Sequence, residues 1–298
     1  MAVTQHVRRA NRIVRRGLSA VSPAAIRGAG AELAWLTARA ALYPTGVREP
    51  RVHREPRFHP EPQSPREPPI RREPPIRREP PILLVHGIID NRSAFTLLRR
   101  ALIRHGFSQV RTVNYSPFTR DVRTAARFLG RHVEDLCRRT GQDRVYIVAH
   151  SLGGLIARYY VQRLGGDARV PTLITLGTPH AGTRAAQLLP LDLCRQLRPG
   201  SDLMTELELR TGECRTRFTA LWSDLDQVIY PKDHARIEHP DLTVRNVMLR
   251  GVGHMSLPMN RQTIKEVIRT LATCDERTSA TIQPISILEP IPTGCGAH

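Results

Sequence analysis

Six short runs of apolar and β-branched residues, separated by stretches with helical periodicity, constrain this chain more than any other feature. They are Ile82–His86, Gln109–Asn114, Arg144–Ala149, Thr172–Gly177, Phe218–Trp222 and Val244–Leu249. Runs that are apolar on consecutive residues suit strands covered on both faces, because a strand with one wet face would alternate. Between them, Ala94–His105, Val122–Arg139 and Leu152–Leu164 carry helical patterns that end close to Gly106, Gly141 and Gly165, and Arg261–Leu271 follows the last run. Glycine is the residue that most readily adopts the left-handed conformation closing a helix. Strands alternating with helices over short connections predict an α/β fold, a mostly parallel central sheet with helices on both faces.

This pattern occupies residues 82–274, and what flanks it is different in kind. In residues 1–45, Ile26, Ala29, Leu33, Leu36, Ala40 and Tyr43 recur at helical spacing, which predicts an amphipathic helical segment ending before Pro44. Its apolar face calls for cover, from the domain that carries the strands or from a membrane surface. Residues 46–81 are rich in Arg, Glu and Pro, and Pro-Pro-Ile-Arg-Arg-Glu is repeated at Pro68–Glu73 and Pro74–Glu79. Proline donates no amide hydrogen and holds the preceding residue out of the helical region, so an extended, solvated linker is expected. Residues 275–298, with Pro284, Pro290 and Pro292, read as a loose tail.

The net charge of +18 raises the question of a nucleic-acid partner. Residues 1–82 hold 16 arginines against 7 acidic residues, so half of the excess lies outside the region that carries the strands. No nucleic-acid recognition motif accompanies the charge, and weak attraction to an anionic membrane or lipid surface is its expected consequence. No nucleic acid and no protein partner is predicted. Cys137, Cys194, Cys214, Cys274 and Cys295 contain no C-x-x-C pair, which argues against a zinc site or a redox motif. Whether Cys194 and Cys214 are bridged stays open. Neither a clear cleavable signal peptide nor an apolar run long enough to span a membrane is evident, so the compartment is not legible.

The most specific local signal is Arg144-Val-Tyr-Ile-Val-Ala-His-Ser-Leu-Gly-Gly154, a strand entering a turn of small residues and then a helix. That context marks a nucleophile elbow, with Ser151 on the strained turn and Ala149 and Gly153 small enough for strand and helix to approach. A serine capping any helix would read similarly, so its partners decide. Serine needs a base, and the base needs a carboxylate to hold it. His254, in Leu249-Arg-Gly-Val-Gly-His-Met-Ser256, follows the last strand on a glycine-rich loop and is the expected base. Asp224 and Asp226 both follow the strand Phe218–Trp222; as an extended segment they would point to one side, and Asp226 is favoured because Val228-Ile-Tyr-Pro can anchor its loop. His86-Gly87 ends the first strand, which makes the backbone amides of Ile88 and Leu152 the natural oxyanion-hole pair. His86 and His150 flank the site as packing residues. No cofactor or metal is required.

These pieces resemble the bacterial triacylglycerol lipases of the α/β-hydrolase superfamily, particularly the class with Ala-x-Ser-x-Gly. The resemblance rests on Val85-His-Gly-Ile88, Ala149-His-Ser-Leu-Gly-Gly154, Leu176-Gly-Thr-Pro-His-Ala-Gly-Thr183, Ser223-Asp-Leu-Asp-Gln-Val-Ile229 and Gly251-Val-Gly-His254, spread over about residues 80–272. It implies Ser151, Asp226 and His254 as the catalytic triad, His180 as structural, and hydrolysis of a lipid or ester substrate through an acyl-enzyme. The first 80 residues match no part of that family's core, and residues 188–214 would be an added cap or lid. Two other readings of the same chain are an acyltransferase using the same triad and a noncatalytic interaction protein with a basic N-terminal arm.

Overall fold

The computed structural model describes residues 79–88, 90–115, 120–188 and 191–280. The expected helical segment within residues 1–45, nearly all of the linker and the end of the tail lie outside the described residues, as does Cys295. Each of the six apolar runs forms a strand: β1 Ile82–Val85, β2 Val110–Val113, β3 Tyr146–His150, β4 Thr172–Leu176, β5 Arg217–Ser223 and β6 Thr243–Leu249. The helices are α1 Thr96–Arg104, α2 Val122–Thr140, α3 Leu152–Arg163, α4 Asp192–Gln196, α5 Asp202–Glu208 and α6 Arg261–Ala280. The last of these runs past 274, where the sequence put the end of the domain.

The strands form one sheet in the order β2-β1-β3-β4-β5-β6, and every neighbouring pair is parallel. Alternation along the strands sorts the side chains into two cores. Leu83, Val85, Ile147, Ala149, Leu173, Phe218 and Ala220 face α2 and α3, while Ile82, Leu84, Tyr146, Val148, Ile174, Leu176 and Leu221 face α1 and α6. The inner strands β1, β3 and β4 are buried along their whole length, which is why they read as nearly unbroken apolar runs, whereas the edge strands β2 and β6 carry exposed and half-buried residues, including Arg111 and Arg245. Helix α3 is buried from Leu152 to Gln162 because it lies between the sheet and other helices. A helix covered all round loses the one-sided pattern of a surface helix.

Local signals set the helix ends. Asp121 caps α2 by accepting from the backbone amides of Arg123 (3.3 Å) and Thr124 (3.0 Å), and Gly141 closes the same helix in the left-handed region at φ 67°. The start expected at Ala94 is a 3-10 turn, Arg92–Phe95, that leads into α1. The Asn91 side chain opens that turn by accepting from the Ser93 amide at 2.9 Å. Cys194 and Cys214 are free thiols. No helix among the described residues is long and apolar enough to cross a membrane.

Phe95 is among the largest side chains with no solvent exposure, and it joins α1 to the α6 side of the sheet. Phe95→Ala should cost about 3–5 kcal/mol, the usual range for emptying such a site. Urea denaturation reads this as a lower midpoint at an unchanged slope.

Candidate active site

Residue 151 carries the chain from β3 directly into α3. Ser151 has φ 52° and ψ −124°, and it is the only non-glycine with positive φ among the described residues. The turn's polar groups are satisfied from outside: the Ser151 amide donates to the Leu176 carbonyl at 2.9 Å, and the Ser151 carbonyl accepts from Thr178 Oγ1 at 2.9 Å and from the Gly154 amide at 3.0 Å. Space explains the residues that follow. A Cβ at Gly153 would lie 2.4 Å from the His86 carbonyl oxygen and 2.6 Å from that of Val85, and one at Gly154 would meet Thr178 Oγ1 at 1.9 Å. The elbow therefore needs two glycines after Leu152, because β1 and the loop after β4 pass directly against the start of α3.

The loop after β6 brings His254 to this turn. Ser151 Oγ lies 3.0 Å from His254 Nε2, and His254 Nδ1 lies 2.8 Å from Asp226 Oδ2. An ionised carboxylate only accepts, so it holds the ring proton on Nδ1 and leaves the Nε2 lone pair facing the serine hydroxyl. Asp226 and His254 are both buried, and the second carboxylate oxygen of Asp226 accepts from the Val228 and Ile229 amides, each at 2.8 Å. His150 Nε2 donates to the His254 carbonyl at 3.1 Å and steadies the loop that carries the ring.

The two acidic residues do not share the extended segment expected for them. Residues 224 and 225 form a turn, with the Asp226 amide donating to the Ser223 carbonyl at 3.4 Å. Asp224 is thereby sent elsewhere: its Oδ1 accepts from the Gly251 amide at 2.7 Å, and its carbonyl accepts from Lys232 Nζ. One carboxylate meets the imidazole and the other ties the acid loop to the histidine loop.

The Leu152 amide is at the first position of α3, where helix geometry leaves backbone donors without intrahelical acceptors and directs the positive end of the dipole outward. Ile88 sits in the turn after β1. Gly87, just before it, runs so close to the elbow that a Cβ there would lie 3.1 Å from Ser151 Cβ. The expected donor pair thus flanks the serine from two elements.

Several contributors carry no sequence signal of their own. Tyr115, just past β2, stacks on His86 with ring centroids 4.3 Å apart and planes 10° from parallel, and its hydroxyl donates to the His86 carbonyl at 2.6 Å. Burial pushes its phenol up, out of reach of ionisation. Ser223 Oγ donates to the Val252 carbonyl at 2.5 Å and accepts from the Leu225 amide at 3.1 Å. Thr183 Oγ1 donates to the Val228 carbonyl at 2.9 Å and accepts from the Tyr230 amide at 3.0 Å. Gly177, at φ 54°, lies against the acid–imidazole pair, since a Cβ there would be 3.2 Å from both Asp226 Oδ2 and His254 Nδ1. Pairings 29 or 45 residues apart have no local periodicity to betray them; Gly177, Thr183 and Ser223 lie inside recognisable motifs, but those motifs do not say which residues they meet.

His180 is on none of these paths to the serine. It is buried, its Nε2 is 2.9 Å from Thr175 Oγ1, and Nδ1 has no partner. Burial, with the nearby Arg158 guanidinium, holds its pKa well below the usual imidazole value.

Comparison with known proteins agrees with this architecture. Residues 80–193 match the family model described as alpha/beta hydrolase fold. The mature lipase BlEst2 of Bacillus licheniformis superposes with a TM-score of 0.57 at 20% identity, over 68% of this chain and 96% of that one. Lipase B of Aspergillus fumigatus gives 0.57 at 16% identity, over 65% and 53% respectively. A Listeria innocua protein gives 0.51 at 16%, over 63% and 92%. At these identities the likeness is one of fold.

The state of His180 predicts a pH effect. The native protein keeps it neutral while the unfolded chain takes up a proton below about pH 6.5, so unfolding binds protons and stability falls as pH drops from that value toward the depressed native one. His180→Gln, which keeps a partner for Thr175, should flatten this loss. Thermal melts between pH 7.5 and 5 check it, and equal slopes in the two proteins would contradict the assignment.

Proposed function

We propose, from the α/β-hydrolase fold that this chain has, that it is a serine hydrolase cleaving carboxylic esters, with acylglycerol-like lipids as the substrate class. One observation carries the reading: an uninterrupted hydrogen-bonded path from a buried carboxylate through an imidazole to a serine hydroxyl held on a strained turn. A serine that merely capped α3 would need neither the base nor the orienting acid, and its side chain makes no cap hydrogen bond here.

In this mechanism His254 Nε2 removes the proton from Ser151 Oγ as the oxygen attacks the ester carbonyl carbon. Negative charge then develops on the carbonyl oxygen, where the Leu152 and Ile88 amides are the proposed donors and the dipole of α3 adds its positive end. Asp226 keeps the imidazole in the tautomer that accepts from serine and stabilises the imidazolium that forms. His254 returns the proton to the leaving alkoxide as the carbon–oxygen bond breaks, leaving an ester between the acyl group and Ser151. Water, deprotonated by the same imidazole, attacks that ester and releases the acid and free Ser151.

A lipid-like substrate is supported by where exposed apolar side chains occur. Val228 and Tyr230 are on the acid loop, and the Tyr230 carbonyl accepts from the Arg184 amide at 2.8 Å, which joins that loop to the segment bearing exposed Leu188 and Leu191. Two of the structural neighbours, those from Bacillus licheniformis and Aspergillus fumigatus, are named as lipases, in agreement with that substrate class.

Ser151→Ala should abolish p-nitrophenyl ester turnover and labelling by a fluorophosphonate while the melting temperature holds. Asp226→Asn should lower kcat by about 10⁴-fold, the effect of losing the orienting carboxylate in a comparable triad. Asp224→Asn, whose side chain touches only the Gly251 amide, should stay within several-fold of the parent. Steady-state kinetics on the three proteins decides it: retained turnover in Ser151→Ala rejects the serine, and a larger loss from Asp224→Asn than from Asp226→Asn rejects the acid.

A further inference from the structure

On the α1–α6 side of the sheet the two helices diverge to leave a cleft of about 830 Å³. Its charged lining comes as two pairs of like sign. Arg100 and Arg104 are one turn apart on α1, Arg261 and Lys265 one turn apart on α6, and no acidic residue lines the cleft. Like charges four residues apart destabilise a helix. Cations in the first turns of α6 also oppose its dipole, where acidic residues would be favoured; the first turn of α6 contains none.

Several arginines elsewhere in the molecule do have a counter-ion from the chain. Arg245 and Arg269 both pair with Glu266, Arg123 pairs with Glu206, and Arg169 pairs with Glu134. Among the described residues, none of the four cleft cations has an ion-pair partner. The positive charge that lines the cleft is left without a counter-ion from the chain. Beneath the cations, Leu97, Ile264 and Ile268 give the cleft an apolar floor.

We infer that this cleft binds a single-chain amphiphile with an anionic head group, a carboxylate or a phosphate. The head would lie among Arg100, Arg104, Arg261 and Lys265, and the hydrocarbon chain along Leu97, Ile264 and Ile268. A cleft of this volume lies within the range that accommodates small organic ligands. An anion without a tail would leave the apolar floor in water. A flat bilayer surface would reach the rim and leave the concavity unfilled. The inference is independent of the ester-hydrolase reading, since it uses none of the residues of that site.

The test is calorimetric titration of the full-length protein, after treatment with a fluorophosphonate to occupy Ser151, with dodecanoate and separately with dodecyl phosphate, each below its micelle concentration. Saturable binding at one ligand per chain is expected for at least one of them, and which one binds identifies the head group. Acetate, inorganic phosphate and dodecyltrimethylammonium should bind at least tenfold more weakly. The double substitution Arg104→Gln with Lys265→Gln should weaken the amphiphile at least tenfold at an unchanged melting temperature. Ile264→Ser should weaken it through the floor instead. Undiminished binding in the charge variant, equal affinity for the cationic amphiphile, or a response only to phosphatidylglycerol vesicles would overturn the inference. Failure of the fluorophosphonate to react would count against Ser151 as nucleophile and leave the comparison of parent with charge variant intact.

Discussion

The structure around the site depends on one strained residue. Holding a non-glycine at φ 52° costs on the order of 1–3 kcal/mol, and the surroundings must over-determine it. They do so by satisfying both polar groups of Ser151, through Leu176 on one side and Thr178 on the other, and by removing every side chain that would fill the space. The return for that strain is position: the hydroxyl projects beyond the C-terminal edge of β3, toward the loops that follow β5 and β6.

Those loops arrive in the right order because the sheet is parallel. In a parallel sheet all C-terminal strand ends lie along one edge, so side chains far apart in sequence meet there without long connections. β4 contributes Gly177 and Thr178, the end of β5 leads to Asp226, and the loop after β6 bears His254. These loops are tied to one another by polar contacts, two of them buried, two part-buried and one at the surface. Ser223 bonds Val252, Asp224 bonds Gly251, Thr183 bonds Val228 and Tyr230, and His150 bonds the His254 carbonyl. An unmet buried donor or acceptor costs more than a made hydrogen bond gains, so these bonds act mainly by penalising other loop arrangements.

How much of this was legible follows from the range over which each determinant acts. The inner strands announced themselves because burial on both faces writes an apolar run into consecutive residues, and the elbow because strain and close approach demand small residues at fixed offsets from one serine; the edge strands β2 and β6, partly exposed, were marked by β-branched residues instead. The choice between Asp224 and Asp226 was only half readable. It turns on whether the chain after β5 extends or turns, and a Ser223 hydroxyl bonded to Val252 across 29 residues takes part in that decision. Tyr115 was invisible for the same reason, since nothing near it in the sequence points to a histidine at the end of another strand. The reach of α6 also escaped, because no glycine or proline between Leu271 and Ala280 marks a break and none marks its continuation.

The segment 188–214, read from the sequence as a possible cap or lid, is tied to the body at its C-terminal half. Arg158, buried on α3 with its pKa drawn down to about 10 by desolvation, donates to the carbonyls of His180 and Leu207, both at 3.1 Å. Gln162 reaches the same Leu207 carbonyl, and Glu206 accepts from Tyr159 and pairs with Arg123. A buried guanidinium bonded to neutral carbonyls is costly to strand, so lifting α5 would expose that cost in addition to uncovering Leu203, Met204 and Leu207. Helix α4 is held at Gln196, which accepts from the Val122 amide and donates to the Arg120 carbonyl. Among the described residues, what remains exposed and apolar in the segment is Leu188, Leu191 and Leu209, and the first two lie before α4, on the stretch joined through Arg184 to the acid loop. Helix α5 is thereby part of the wall that keeps α3 in position.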